Sequence, residues 1–378
     1  MAVNVSYNYM LNQFSEKEMK KYIVILLLCL VNIGISKQPK AKPLAAYLQD
    51  STWHFIDENG DEFFTSKRIS EVRGYSEGFF RVTIRDNKNK NHWEFLHEDG
   101  SFAFKPNSAV VYDMHNGMAL SARKNMWSKS LQIFGYYDKN GNEVIKHKYD
   151  DAIDFHNGLA YVFNKNESGY INKQGKMLIP LKDKAGNGFS EGLAPVNTKE
   201  FKLGFINTKG EQIIDFKYDD ALPFSEGKCA VHLEGYFAFI DSNDRMLVPP
   251  TYDFAHQFHE NYAFVGRSEN RRYNDQKWGL IDTTGKLIVT FKYPYVKDFS
   301  EGLAAVQTEN KKWGFINYQD SLVIPDIFDK VYSFKNGLAW ASIKDENKYG
   351  FINKNGEWII SLDEPKQVFD IRWNKRVQ

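Results

Sequence analysis

An all-β fold made of tandem repeats is predicted by three features of the sequence. A short phrase recurs nine times in 378 residues: an aromatic or apolar residue, a small residue, two apolar residues, then Asp or Asn. In every copy, a turn residue that is usually Gly lies six positions after the small residue. The repeated region also lacks the 3.6-residue apolar periodicity of a helix. A repeat of 34–41 residues is typical of a modular array.

The recurring phrase is predicted to be the first β-strand of each repeat. In Trp313–Asn317, Trp313 and Phe315 fall on one face of a strand and Ile316 on the other. A Gly inside a strand allows another backbone to approach closely. We therefore assign structural roles to the residues that mark this strand. They are Trp53, Trp93, Gly135, Gly169, Gly204, Trp278, Gly279, Trp313, Gly314 and Gly350.

A tight turn and a second strand are predicted to follow. In Asn207–Gly210 the Asn side chain can cap its own turn, and Gly210 can adopt a positive φ. The apolar run Leu287–Val289 shows the composition of the second strand.

A third strand is predicted after a phrase such as Phe189-Ser190-Glu191-Gly192. This phrase ends 17 residues after the turn residue in seven of eight repeats. The remaining length variation lies in the next segment, where the gaps range from 11 to 18 residues. A segment that tolerates insertions is a surface loop. Each repeat therefore has a body of fixed length with three strands, and one variable loop.

The phrases Lys312–Asn317 and Lys277–Asp282, together with the Phe-Ser-Glu-Gly-Leu-Ala phrases, resemble bacterial WG-repeat (KWG-repeat) proteins. The resemblance covers roughly residues 53–360 and implies a β-repeat architecture, but no established activity. Several repeats depart from the pattern. The departures are Ser168 and Leu203 in place of Trp, Phe237–Ala238 in place of Trp-Gly, and Asp244 and Asn261 in place of turn glycines.

An open, curved, solenoid-like array of about nine three-stranded antiparallel repeats is the predicted architecture of residues 53–360. The alternative is a closed β-propeller. Propeller blades usually have four strands in about 40–50 residues, and nine blades exceed the usual number. An open array has distinct ends. We therefore predict a linker or N-terminal segment at 37–52 and a C-terminal cap at 361–378.

Residues 19–36 are predicted to be a signal peptide. Met19–Lys21 is basic, Ile23–Val31 is apolar, and Gly34–Ser36 offers small residues for cleavage. Met19 is then the predicted start of the protein, and residues 1–18 are an N-terminal extension assigned in error. We expect an exported protein, with a lipoprotein anchored through Cys29 as the alternative. The apolar run is too short for a membrane span, so no span is expected after removal of the signal.

Composition limits the partners of the mature chain. Its one remaining thiol, Cys229, cannot form an internal disulfide, so packing must hold the fold. The formal net charge of +1 for the full 378 residues gives no electrostatic basis for binding nucleic acid. We predict a monomer.

No catalytic residue, metal site or cofactor is predicted. The segments around Ser76 and Ser190 match the G-x-S-x-G nucleophile elbow of serine hydrolases. Another repeat has Lys335 at the same position, however, and a catalytic Ser could not be replaced by Lys. The recurring Glu at the next position, as in Glu191, is expected to make a structural hydrogen bond. Asp57–Gly60 and Asp138–Gly141 are interpreted as hairpin turns and not calcium loops. His256 and His259 suggest no third metal ligand.

The variable loops are the predicted binding sites, because equivalent loops of an array lie along one edge. The candidate residues are Arg85, Lys88, Lys90, Arg123, Lys124, Trp127, Lys129, Arg267, Arg271, Arg272 and Tyr273. Trp127, Tyr273 and Trp340 are candidate sugar-stacking rings. We therefore expect a non-catalytic binding or scaffold module that uses this loop edge or the concave face of the array. Its partner would be an unknown protein or glycan of the cell envelope. A carbohydrate- or cell-wall-binding module is the alternative, and a hydrolase is less favoured.

Overall fold

A computed structural model describes residues 43–124, 132–182, 185–268, 275–362, 365, 367–371 and 375–376. These residues form 37 β-strands and no α-helix. Within these ranges there is no helix that is long and apolar enough to span a membrane. The predicted extension, signal peptide and Cys29 lie outside the described residues.

The strands form nine sheets, eight with four strands and one with five. Blade 1 contains β1 (Pro43–Gln49), β2 (Thr52–Asp57), β3 (Glu62–Ser66), β36 (Gln367–Asp370) and β37 (Lys375–Arg376). Blade 2 contains β4 (Ile69–Ser76), β5 (Phe79–Arg85), β6 (Asn91–His97) and β7 (Phe102–Phe104), and blade 3 contains β8 (Val110–His115), β9 (Met118–Lys124), β10 (Gln132–Asp138) and β11 (Glu143–Tyr149). Blade 4 contains β12 (Asp151–Ala152), β13 (Ala160–Phe163), β14 (Ser168–Ile171) and β15 (Met177–Pro180), and blade 5 contains β16 (Ala185–Gly186), β17 (Leu193–Asn197), β18 (Leu203–Asn207) and β19 (Gln212–Tyr218). Blade 6 contains β20 (Asp220–Ala221), β21 (Lys228–Leu233), β22 (Tyr236–Asp241) and β23 (Met246–Tyr252), and blade 7 contains β24 (Phe254–Ala255), β25 (Tyr262–Arg267), β26 (Lys277–Asp282) and β27 (Leu287–Tyr293). Blade 8 contains β28 (Tyr295–Val296), β29 (Ala304–Gln307), β30 (Trp313–Ile316) and β31 (Leu322–Phe328), and blade 9 contains β32 (Lys330–Val331), β33 (Leu338–Ile343), β34 (Lys348–Asn353) and β35 (Trp358–Leu362).

The nine blades form a closed ring, a β-propeller. The ring closes in blade 1, where β1 pairs antiparallel with β36: Ala46 lies opposite Phe369, and Leu48 lies opposite Gln367. One apolar cluster joins Leu44 of blade 1 to Trp340 of blade 9. Another joins blade 1, including Phe369, to blade 2. Blade 1 therefore packs against both of its neighbours.

The predictions of an open array and of three strands per repeat are wrong. The strand that the sequence did not predict is the first strand of a blade, and it is short in most blades: β12, β16, β20, β24, β28 and β32 have two residues each. So short a strand shows no periodicity in the sequence. It is sufficient here because it pairs with a longer second strand, as Asp220 and Ala221 pair with His232 and Val231.

Closure also changes the roles of the chain ends. β1 lies in the segment predicted as a linker or N-terminal segment, and β36 in the predicted cap. Each supplies a strand to blade 1 and does not cover an open end. This arrangement uses the backbone hydrogen-bonding groups that an open edge would leave unpaired.

The small residue of the recurring phrase is required by close packing, as predicted. A Cβ atom on Gly204 would lie 2.6 Å from the carbonyl oxygen of Ile214, and one on Gly314 would lie 2.7 Å from that of Ile324. In both cases the third and fourth strands change register at this point. The preceding aromatic is buried at Trp53 and Trp278, whereas Trp313 is half-buried and Trp93 donates a hydrogen bond from Nε1 to the Ala109 carbonyl.

Candidate functional site

The alternating strand directions give the propeller two different faces. Neighbouring strands within each blade are antiparallel, so the first–second and third–fourth connections lie on one face, which we call the turn face. The second–third connections lie on the opposite face, the loop face. In the described residues the loop face comprises 50–51, 86–90, 164–167, 198–202, 234–235, 308–312 and 344–347, with parts of the other loops. The variable segments therefore occupy equivalent positions on one face, as predicted.

The turn face is held together by hydrogen bonds from blade to blade. The Glu191 carboxylate accepts hydrogen bonds from the backbone N–H groups of Glu226 and Gly227, both at 2.8 Å. Ser190 Oγ donates to the Phe224 carbonyl at 2.7 Å. Equivalent carboxylate or amide links join Glu77 to Gly117, Asn116 to Gly158, Glu226 to Glu260 and Asn261, Glu260 to Glu301 and Gly302, and Glu301 to Gly337. The structural hydrogen bond predicted for this Glu is confirmed.

The candidate nucleophiles and calcium loops belong to this framework. Ser76, like Ser190, donates to a carbonyl of the next blade, and a β-strand follows the turn where a nucleophile elbow requires a helix. The Asp57 carboxylate accepts the backbone N–H groups of Asn59 and Asp61, and Asp138 accepts those of Asn140 and Asn142. The turn interpretation is confirmed at these positions.

The predicted basic residues on the loop face fall into two groups. Arg85, Lys88, Lys90 and Lys124 are exposed. In the loop of blade 2, the backbone amides of Lys90 and Lys88 donate to Asp86 and lower the pKa of its carboxyl group. This short turn projects its lysine side chains into solvent.

Arg123 and Arg267 are instead engaged within the propeller. Arg123 donates to the Asn107 carbonyl at 2.7 Å and to the Tyr137 hydroxyl at 2.7 Å, and it pairs with Glu143 at 3.2 Å. The Arg267 guanidinium lies over the Phe291 ring at 5.0 Å. Both side chains stabilise their own surroundings. The other predicted loop residues, Trp127, Lys129, Arg271, Arg272 and Tyr273, lie outside the described residues.

The histidine pair of blade 7 meets a carboxylate of blade 8. Asp298 lies 2.7 Å from Nδ1 of His256 and 3.6 Å from Nε2 of His259. A separation of 2.7 Å is a direct hydrogen bond. Across the described ranges, no group of three or more His, Cys, Asp or Glu side chains is arranged to hold a metal ion.

A pocket of about 830 Å³ opens on the loop face between blades 4 and 5. Its lining is mainly apolar and is contributed by both blades. The larger apolar side chains of the lining are Tyr161, Phe163, Met177, Pro180, Leu181 and Phe201. A volume of 300–1,000 Å³ is typical of ligand pockets. This pocket could therefore receive a ligand group.

Phe201 is exposed at the edge of this pocket in an unusual conformation. Its side chain is 84% exposed, and its φ angle is +60°. The equivalent turn position in blades 2, 8 and 9 carries Asn89, Lys311 and Asn347, with φ angles of 60°, 60° and 52°. Asn tolerates this left-handed conformation far better than an aromatic residue does. Blade 5 therefore places an aromatic ring where the other three blades have a polar side chain.

A family comparison identifies the repeats. The family model described as "WG containing repeat" matches residues 134–167, 169–200, 204–237, 237–266, 278–311, 313–347 and 349–363, more than half of the chain. The chain belongs to the WG-repeat family. No curated protein matches it in sequence.

Solved structures resemble this WG-repeat propeller in fold. A structure titled as the eukaryotic initiation factor is 11% identical, with 87% of this chain and 98% of that chain covered and a TM-score of 0.61. BamB from Moraxella catarrhalis is 9% identical (71% and 89% covered, TM-score 0.41), and puromycin hydrolase is 10% identical (71% and 58% covered, TM-score 0.35). At these identities only the fold is informative, and the first structure supports it.

Phe163 and Phe201 of the WG-repeat pocket were not among the predicted binding residues, because basic residues dominate the composition of the variable loops. Comparing the loops position by position would have revealed Phe201 among Asn and Lys residues. Trp340 was expected to stack on sugars but is fully buried, so that expectation is wrong.

Proposed function

We propose that this WG-repeat propeller is a non-catalytic binding or scaffold protein that engages a protein partner through its loop face. Support comes from the contrast between the two faces. On the turn face, carboxylates and hydroxyl groups hold neighbouring blades together, as Glu191 and Ser190 do. On the loop face, length and composition differ from blade to blade.

The pocket between blades 4 and 5 is the observation that carries the proposal. It is an apolar concavity of about 830 Å³ on the face that also bears exposed Arg85, Lys88 and Lys90. Protein interfaces commonly place an aromatic or aliphatic anchor in a pocket and surround it with polar residues. A rigid propeller can present such a surface with little loss of conformational entropy on binding.

A carbohydrate partner is the second candidate. The exposed rings of Phe163 and Phe201 lie beside the amide side chains of Asn166 and Asn197 in the same pocket lining. Aromatic faces with neighbouring amides could bind a sugar ring. The aliphatic surface of Met177, Pro180 and Leu181 favours an apolar peptide side chain instead.

We also propose that the protein is exported to the cell envelope, on the basis of the basic and apolar residues of the segment 19–36, and that it acts there as a monomer. N-terminal sequencing of the protein recovered from its native cells would test export. Cleavage near Ser36 is expected. A mature chain that still contains residues 19–36 would contradict the proposal.

Charge reversal on one face at a time would test the binding face. One variant carries Arg85→Glu, Lys88→Glu and Lys90→Glu on the loop face. The matched control carries Lys139→Glu, Lys209→Glu and Lys286→Glu, three exposed lysines of the turn face. Each protein is crosslinked in intact cells, and crosslinked peptides are identified by mass spectrometry.

The proposal predicts that crosslinks to a partner map to the loop face and decrease in the loop-face variant alone. Equal decreases in both variants, or crosslinks confined to the turn face, would contradict it. Assays of peptide, ester and glycoside hydrolysis on the same preparations test the absence of catalysis.

A further inference from the structure

The pocket between blades 4 and 5 has features of a specific recognition site. It lies between two equivalent loops, 164–167 of blade 4 and 198–202 of blade 5, and is also lined by Pro180 at the end of β15 and by Leu181 and Lys182. Tyr161 in the lining is buried, whereas Phe163 is 44% exposed and Phe201 is 84% exposed. The lining therefore combines one buried ring with two rings that a ligand can reach.

Phe201 is unfavourable in the free protein in two respects. A left-handed backbone is strained for a residue with a Cβ atom. An exposed Phe ring also forgoes the stabilisation that burying it would provide. The equivalent turns show that Asn or Lys can occupy this position with the same backbone. The turn geometry therefore does not require Phe201, but contact with a ligand would account for it.

Charged side chains around the pocket indicate the charge of the ligand that it would bind. Lys165, Lys182 and Lys199 line it, together with the carboxylates of Asp151 and Glu167. Glu167 is paired with Lys148 at 3.0 Å, and Asp151 Oδ1 accepts the backbone N–H of Ala152 at 2.9 Å. Within the described chain, Lys165 and Lys182 are exposed and form no ion pair. The rim therefore offers ammonium groups to a negatively charged partner.

We infer that this pocket binds a peptide segment of a partner protein that presents one aromatic or large aliphatic side chain flanked by carboxylates. The apolar side chain would fill the pocket under Phe201, and its acidic neighbours would pair with Lys165 and Lys182. This inference rests on the proposed function and specifies the partner's chemistry.

A panel of labelled hexapeptides tests the inference by fluorescence anisotropy. The probes contain Asp-X-Asp, where X is Phe, Tyr, Trp, Leu, Met or Ile. One set of controls has Ala as X, and another has Lys in place of both Asp residues. The proteins are the wild type, Phe201→Asn, Lys182→Glu and Lys311→Asn. Phe201→Asn installs the residue that Asn89 and Asn347 show to be compatible with the turn, and Lys311→Asn is the same change on blade 8.

Wild type and Lys311→Asn are expected to bind at least one acidic peptide with a Kd below about 1 mM. Phe201→Asn is expected to weaken binding about tenfold or more, as expected on loss of an aromatic anchor. Lys182→Glu is expected to weaken binding of the acidic peptides and to reduce the salt dependence of their affinity. The Ala and Lys control peptides should not bind measurably.

Three results would overturn the inference: no binding by any acidic peptide, equal binding of the Lys-flanked peptides, or equal affinity of wild type and Phe201→Asn. Binding of cello- or chito-oligosaccharides that is lost in Phe201→Asn would assign the pocket to sugars instead. If the peptides fail while crosslinks to a protein still map to the loop face, the pocket assignment fails but the proposed function stands.

Discussion

Blades 4 and 5 are joined by different chemistry from blades 5 and 6. Between blades 5 and 6, Ser190 and Glu191 bond to the next turn, and the hydroxyl of Tyr218 donates to Asp244 at 2.6 Å. Between blades 4 and 5, the Ser and Glu positions are His156 and Asn157, which make no hydrogen bond to blade 5 among the described contacts. There the Tyr170 hydroxyl donates to the Asn187 carbonyl at 2.7 Å and accepts its N–H at 3.1 Å.

This contrast shows that different junctions of the ring can be held by different sets of side chains. The recurring phrase has Phe205 or Phe239 where blades 3 and 4 have Tyr136 and Tyr170. The Tyr136 hydroxyl likewise donates to the Ile153 carbonyl of the next blade. The candidate pocket opens at the junction of blades 4 and 5, where His156 and Asn157 stand in place of the linking Ser and Glu. Four substitutions test how these junctions are held.

The largest effect is expected at the closing blade. Phe369→Ala removes a ring that is 3% exposed from the cluster that joins blade 1 to blade 2. Truncation of a buried Phe costs about 3–5 kcal/mol in unfolding free energy. Urea unfolding followed by tryptophan fluorescence would measure the loss. The matched control is Phe205→Ala, in a blade made from one continuous segment. A much smaller loss of unfolding free energy in Phe369→Ala than in Phe205→Ala would argue against a closed ring.

Closure is also where the sequence was least informative. The repeats, their fixed bodies and the placement of the variable loops could be predicted because these features recur within each unit. The pairing of Ala46 with Phe369 joins residues from opposite ends of the chain, and no repeat-by-repeat pattern encodes it. A strand as short as Asp220–Ala221 leaves no periodic signal either.

The next effect concerns the hydroxyl that links blades 4 and 5. Tyr170→Phe leaves the ring in place but removes both hydrogen bonds to Asn187, which costs about 1–3 kcal/mol because the hydroxyl is buried. The control is Tyr161→Phe, a neighbouring ring whose hydroxyl makes no hydrogen bond among the described residues. Chemical denaturation compares the two variants. Equal losses would show that the Tyr170 hydroxyl does not hold this junction.

A smaller effect is expected from Asp244→Gly, which restores the usual turn residue. Asp244 has a φ angle of +66°, and its carboxylate accepts from Tyr218 and pairs with Lys217 at 2.5 Å. Loss of a charged hydrogen bond costs about 1.5–3 kcal/mol, and relief of the left-handed strain returns about 1–2 kcal/mol. We expect a net loss of about 1 kcal/mol in urea unfolding. A gain in stability would show that strain outweighs the link.

The role of Asp244 could not be predicted from the repeat pattern. Most repeats have Gly at this turn position, so in the sequence Asp244 is only a departure from the pattern. The structure shows that it gains a partner across the junction, as Asp320 does with Tyr293. At the equivalent turn of blade 4, Gly175 has no side chain, so the Tyr149 hydroxyl of blade 3 lacks the carboxylate partner that Tyr218 and Tyr293 have. The link needs both a Tyr and an Asp, so neither position is informative by itself.

The smallest effect at neutral pH is expected from His156→Ser, which gives blade 4 the residue found at this position in blades 5, 6 and 8. Burial, followed by repulsion from His115, lowers the pKa of His156, whereas Asp154 raises it. The folded state therefore binds fewer protons than the unfolded state. The stability contributed by neutral His156 is present above about pH 6.5 and is lost as the pH falls through its lowered pKa.

Unfolding free energies measured from about pH 7.5 to 5 would show this loss in the wild type and a weaker dependence in His156→Ser. The new hydroxyl could also donate to the Phe189 carbonyl, as Ser190 does to Phe224. His115→Ser is the control for the neighbouring imidazole, which faces Asp154 at 3.7 Å. Burial raises the pKa of Asp154, which stabilises the fold as the pH falls and so acts in the opposite direction. An unchanged pH profile in His156→Ser would mean that protonation of His156 does not weaken this junction, which then depends on packing and on the Tyr170 hydroxyl.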